Sequence, residues 1–166
     1  MNNKLIAGLG VLTLTACQQN TDDIIIEDFE SGTYANWTVE GDAFGTTPAT
    51  GGYTGQQPVT GFEGKHLANS FNNGDDSRGA LTSKEFTIER DYINFLVGGG
   101  THADTYIELL VEGKSVLQSR SLYESETLQW LTWDVKPYKG RKATIRIVDN
   151  QRGGWGHILI DQIEQG

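Results

Sequence analysis

The chain has 166 residues, a formal net charge of −9 and a pI near 4.7. That acidity excludes polyanionic partners, nucleic acid and anionic membrane faces, which require a basic patch; it suits neutral ligands such as sugars, or cations. With 21 glycines, 3 prolines, 37% hydrophobic residues and no long helical periodicity, the composition describes one turn-rich all-β domain large enough to bury a core.

Met1 to Lys4 is a short n-region with one positive charge, and Leu5 to Thr13 is an apolar run too short to span a bilayer. Leu14-Thr15-Ala16-Cys17 fits a bacterial lipobox, so residues 1–17 are expected to be a lipoprotein signal peptide with Cys17 the lipidated residue. Gln18 after it points to the outer membrane, and residues 18–23 form a polar tether. Cys17 is the single cysteine, so no intramolecular disulfide forms.

From residue 24 the chain alternates short β-runs with turns. Ile24–Ile26 runs into the acidic turn Glu27-Asp28-Phe29-Glu30, and Trp37–Val39 is a second short strand. Residues 41–58 form a long Gly/Thr/Pro-rich loop, of the kind that is functional or packed by its own side chains. Residues 64–71 lead into a strand ending at Phe71, and 72–79 (NNGDDSRG) read as a turn. Ala80–Ile88 alternates as one strand, and Asp91–Val97 reads as a buried one. The loop 98–105 (GGGTHADT) precedes a hairpin, 106–112 and 115–120, turning at Glu112-Gly113-Lys114. Residues 121–127 read as a polar connection, 128–135 (LQWLTWDV) as a strand, and 136–142 as a turn. The chain closes on strand, glycine-rich loop and strand: IRIV, DNQRGGWGH and ILIDQI. Nine or ten evenly spaced strands without a convincing helix predict a single β-sandwich of jelly-roll, galactose-binding-like type over residues 24–166.

Several segments in order, VEGDAFG, VTGFEGKHLANSF, GALTSKEFTIERDYINFLVGGGTHADT and IRIVDNQRGGWGHILIDQI, resemble a β-sandwich module. That module precedes the catalytic propeller in bacterial glycoside hydrolase family 32 levanases and fructan β-fructosidases. The resemblance covers nearly all of residues 25–163 and implies a carbohydrate-binding-like jelly roll associated with fructan use. The Trp-Met-Asn-Asp-Pro, Arg-Asp-Pro and Glu-Cys motifs of the family's catalytic part are absent from the 166 residues. The resemblance therefore implies a non-catalytic module, acting with a partner hydrolase or as the front part of one. A structural or interaction role is the alternative.

The residues themselves point the same way. His66, His102 and His157 lack metal-ligand spacing, and no serine sits in a G-x-S-x-G context. A sugar site needs an aromatic face for the C–H side of the ring and planar polar groups for the hydroxyls. The two glycine-rich loops offer Trp155, His157, His102, Asp104, Asn150 and Arg152 as ligand-binding candidates, if both loops reach one rim. Against this, Trp155 could pack beneath the rim, and His157 could be a buried, hydrogen-bonded histidine. Asn72, Asn73, Asp75, Asp76 and Arg78 form a second candidate surface, or simply a solvated turn. Trp37, Trp130 and Trp133 lie in strands and are expected in the core. Jelly rolls often hold a structural calcium ion between first and last strands; Glu27, Asp28, Glu30 and Asp161 are the oxygen donors there, with strand-end acidic caps as the alternative.

Overall fold

The computed structural model describes residues 22–166, so Cys17, the lipobox and most of the polar tether lie outside the described residues. Eleven strands form two antiparallel sheets: β1 (Ile24–Glu27), β2 (Trp37–Gly41), β3 (Ala68–Asn69), β4 (Gly79–Ser83), β5 (Phe86–Thr87), β6 (Tyr92–Gly99), β7 (Thr105–Val111), β8 (Lys114–Ser119), β9 (Ser125–Asp134), β10 (Lys142–Asp149) and β11 (Ile158–Gln165). One sheet has the order β1-β11-β6-β9, with β3 also paired to β11; the other has the order β2-β4-β10-β7-β8, with β5 also paired to β10. This is the expected β-sandwich. A single 3-10 turn at Lys136–Tyr138 stands where a plain turn is expected.

Period-two alternation builds the core. Ile93, Phe95 and Val97 of β6 face Ile107, Leu109 and Val111 of β7 and Ala143, Ile145 and Ile147 of β10 within one buried cluster. On β11, Ile158 and Ile160 point inward and Ile163, an odd step further, does so too. A register shift between Asp161 and Glu164, with Gln162 at φ 46°, reverses the alternation between them. The expected strand Ala80–Ile88 is two: β4 and β5 each pair with β10, and the polar step Lys84-Glu85 separates them. The predicted hairpin is present, and Glu112 (φ 51°) and Gly113 (φ 79°) both adopt the positive φ of a primed two-residue turn.

The long loop after β2 folds back over the outer face of the β6–β11 sheet. Ala49, Val59, Leu67, Leu96, Leu128 and Leu159 form a second buried cluster there, with Tyr53 and Phe62 packed against it. Bridges Ala49–Leu67 and Thr60–Thr127 pin the loop. Trp37 and Trp133 are core as expected, 8% and 5% exposed, but Trp130 is 46% exposed. Trp133 lies three positions after Trp130, an odd step along a strand, so the two must project from opposite faces.

Candidate functional site

At one end of the sandwich β6 stops at Gly99, β9 starts at Ser125 and β11 starts at Ile158. The loops 72–78, 100–104 and 150–157 converge over this end. His102 Nε2 lies 3.0 Å from Gly154 O, and the Asn150 N–H donates to Asp104 O at 2.9 Å, so the two glycine-rich loops do share a rim. The third loop locks them. Asp76 Oδ1 accepts from the Gly153 N–H (3.0 Å), and Asp75 Oδ2 accepts from the Trp155 N–H (3.2 Å). Close backbone approach dictates two of the glycines: a Cβ on Gly100 would lie 1.9 Å from Trp155 O, and one on Gly156 would lie 2.5 Å from Asp75 O. Trp155 itself takes φ 61°, a left-handed conformation unusual for a bulky residue, which the surrounding hydrogen bonds hold.

His157 is the centre of the arrangement. Its side chain is 3% exposed, with Nδ1 2.7 Å from Asp75 Oδ1 and Nε2 3.0 Å from Glu126 Oε1. Carboxylates only accept, so both ring nitrogens donate and the ring is an imidazolium between two anions. Burial opposes that charge, but the hydrogen bonds and charges of Glu126 and Asp75 outweigh it, and the His157 pKa is raised. Gln56 Nε2 donates to Glu126 Oε2 at 3.1 Å, and Asn69 Nδ2 donates to Gln56 Oε1 at 2.8 Å, extending the network beneath the long loop. The Trp155 ring stacks on the His157 ring with centroids 5.6 Å apart and planes at 20°, while Phe71 meets the imidazole edge-on at 5.1 Å.

Beside this network lies an open cavity of about 220 Å³, walled by Gly55, Gln56 and Gln57 of the long loop, by Phe71 and Asp75, and by Glu126, Gly154, Trp155 and His157. Trp155 is half-buried: one face rests on His157 and the ring also borders the cavity. A larger cavity of about 280 Å³ opens beside β1, β4 and β5. Its aromatic lining residues are Trp37, which is buried and gives its indole N–H to Glu27 Oε2, and Phe86, which is partly buried against the core.

Of the six ligand-binding candidates, Trp155 and His157 border the cavity; His102, Asp104, Asn150 and Arg152 belong to the adjoining rim and do not line it. Asn150 and Arg152 are exposed, and Asp104 is half-buried. The second candidate surface merges with the first through Asp75 and Asp76. Glu126, Gln56 and Phe71 are site residues that the sequence reading did not single out, being 31, 101 and 86 positions from His157.

Asp149, at the end of β10, is 1% exposed with Oδ2 lacking a partner. Burial pushes its carboxyl up to about 7 against the Ser70 and Gln151 hydrogen bonds and the His157 charge. The four calcium candidates do not form a cage, and among the described residues no three acidic or histidine side chains are placed to hold a metal ion. Each carboxylate is engaged by its own surroundings. Glu27 accepts from the Phe29 N–H and the Trp37 indole, and Asp28 from the Glu30 N–H. Glu30 accepts from the Lys65 and His66 N–H groups, and Asp161 Oδ2 from the Glu63 N–H. Asp161 Oδ1 alone is left buried without a partner, and burial raises that carboxyl to about 7.

No protein-family profile matches the chain. It is 47% identical over 146 residues to the protein named "Putative glycosyl hydrolase ecdE" of Aspergillus rugulosus; the match covers 86% of this chain and 21% of that protein, so the chain spans about a fifth of its relative's length. Among solved structures, the K1 cleaved adhesin domain of Lys-gingipain from Porphyromonas gingivalis W83 superposes with a TM-score of 0.54 at 16% identity, covering 87% of this chain and 98% of that one. TmCBM61, solved in complex with beta-1,4-galactotriose, superposes with a TM-score of 0.50 at 18% identity, covering 82% and 91%. At these identities the structural likeness establishes the sandwich fold.

Proposed function

We propose that the chain is a non-catalytic carbohydrate-binding module that holds a glycan in the Trp155 cavity. The carrying observation is an aromatic ring bordering an open cavity whose polar walls are fixed in advance. Trp155 supplies the apolar face for a sugar ring, Phe71 a second apolar wall, and Glu126, Asp75 and Gln57 the groups that meet hydroxyls. Because His157, Gln56 and Asn69 already hold the carboxylates in place, the ligand orders few side chains on binding. The sugar-binding TmCBM61 supports the reading at the level of fold, and the hydrolase-named relative supports a setting in carbohydrate turnover. The family 32 resemblance narrows the ligand to a fructan of levan or inulin type. Lipidation at Cys17 would hold the module at the outer membrane, beside a partner hydrolase.

The test is isothermal titration of the purified protein with levan, inulin and β-1,4-galactan oligosaccharides. Millimolar to micromolar binding to one of them is expected; no binding by a protein folded by circular dichroism overturns the reading. A second reading, a packing module for a catalytic domain, draws on the fact that 79% of the fungal relative lies outside the match. It is favoured if no glycan binds.

A further inference from the structure

We propose that the Trp155 cavity takes uncharged glycans and turns away anionic ones such as uronates and sulfated sugars, an inference that rests on the glycan reading above. The ionisable groups lining the cavity are Asp75, Glu126 and His157, two anions around one cation, and no lysine or arginine lines it among the described residues. The one charged donor and the donors beside the carboxylates are already committed. Both imidazole nitrogens serve the carboxylates, the Trp155 N–H serves Asp75, and Gln56 Nε2 serves Glu126. What remains open to a ligand is acceptor capacity on Asp75 and Glu126, since each carboxylate oxygen can take more than one hydrogen bond, together with two neutral groups, the Gln57 amide and the Trp155 indole N–H, and no free cation among the described residues of the lining. A sugar hydroxyl answers that by donating. A carboxylate or sulfate cannot donate, and it would meet an excess of like charge.

The surroundings add to the field rather than offset it. Asp76 sits on the same turn as Asp75, holding the Gly153 N–H. Asp149 lies close enough to the pair to feel both His157 and Asp75, and because burial raises its carboxyl to about 7 it adds its negative charge only as pH rises above that value. Arg152, on the loop that carries Trp155, is exposed and outside the lining. Gln57 is the exposed, uncharged member of the wall, with no side-chain hydrogen bond among the described residues, and so provides a place to alter the charge without dismantling the network.

The experiment compares the tightest-binding neutral oligosaccharide with the same oligosaccharide after its primary hydroxyls are oxidised to carboxylates, by titration at low and at physiological salt. The oxidised ligand is expected to bind on the order of tenfold more weakly at low salt, with a smaller gap at higher salt. In Gln57→Lys the gap is expected to narrow at least threefold as oxidised-ligand binding recovers. Oxidised ligand binding as tightly as its parent, or a gap unmoved by both salt and Gln57→Lys, overturns the proposal while leaving the glycan reading intact. Failure of every glycan to bind removes the glycan reading and this inference with it.

Discussion

Two buried carboxyls make stability fall as pH rises from ~4 to about 7. Asp149 and Asp161, 1% and 0% exposed, each keep one oxygen unpartnered, and burial raises both to about 7. In the unfolded chain such groups ionise near 4. The folded state therefore holds protons that the unfolded state has already lost. The stabilisation is complete below pH ~4, is lost progressively as pH rises to about 7, and stays lost above that. Each group changes stability by up to about 1.4 kcal/mol per pH unit inside that window. From pH 5 to 7 the two together have a ceiling of about 5 kcal/mol, and local relaxation and water entry bring the expected loss to roughly 2–3 kcal/mol. For a domain of this size that is roughly 5–10 °C in the thermal midpoint. The raised pKa of His157 acts in the same direction, its contribution lost as pH climbs through the folded value. The lowered carboxyls, Glu30, Asp91 and Glu112, act oppositely, but only as pH falls below their ordinary range. Differential scanning fluorimetry from pH 5 to 8 measures the slope, and Asp149→Asn and Asp161→Asn should each flatten it by about half. A midpoint that is flat or rises over this range, with the Asn variants indistinguishable from the parent, would refute the reasoning.

Trp155→Ala should weaken glycan binding by at least tenfold, as truncation of an aromatic anchor does, while moving the thermal midpoint by only a few degrees. His157→Ala leaves Asp75 and Glu126 facing each other without a cation and should cost about 3–5 kcal/mol in a denaturant titration. Gly100→Ala sets a methyl against Trp155 O and should displace the Trp155 loop, so binding is lost together with about 1–3 kcal/mol of stability. Trp130→Ser should fall within about 0.5 kcal/mol of the parent, whereas Trp133→Ala should cost about 3–5 kcal/mol, a contrast that chemical denaturation resolves directly.

Strand, loop and strand at residues 142–165 are legible in the sequence because local alternation and a glycine-rich break encode them. The same local code yields the hairpin at Glu112-Gly113 and the sandwich class. The partners of His157 are not legible in this way. Asp75 sits in a turn 82 positions away and Glu126 at the start of a strand 31 positions away, where the sequence suggests only a polar connection. Nothing local marks either as an imidazolium acceptor; the register of β9 and β11 on either side of β6 brings Glu126 to His157, and the turn that follows β3, itself paired to β11, brings Asp75. Trp130 is a different case. Strand parity alone separates it from Trp133, so the period of the strand, applied to the pair, predicts the exposed one once the core one is known. The four calcium candidates do not form a cage, and all four instead accept backbone N–H groups of nearby turns, a use that composition does not reveal.

The scattered origin of the cavity wall also bears on how the proposed site forms. Residues near positions 56, 71, 75, 126 and 155 must all be delivered before the cavity exists, and the long loop must already be seated on its own small cluster. Folding dominated by such distant pairings is slow, and partial structures gain little from closing long chain loops early. A peptide spanning 145–163, although it contains Trp155 and His157, would lack the carboxylates that orient them, and would be inert. Competence to bind should thus appear in a single late step, coincident with cooperative burial of the core, and should vanish in the same step on unfolding.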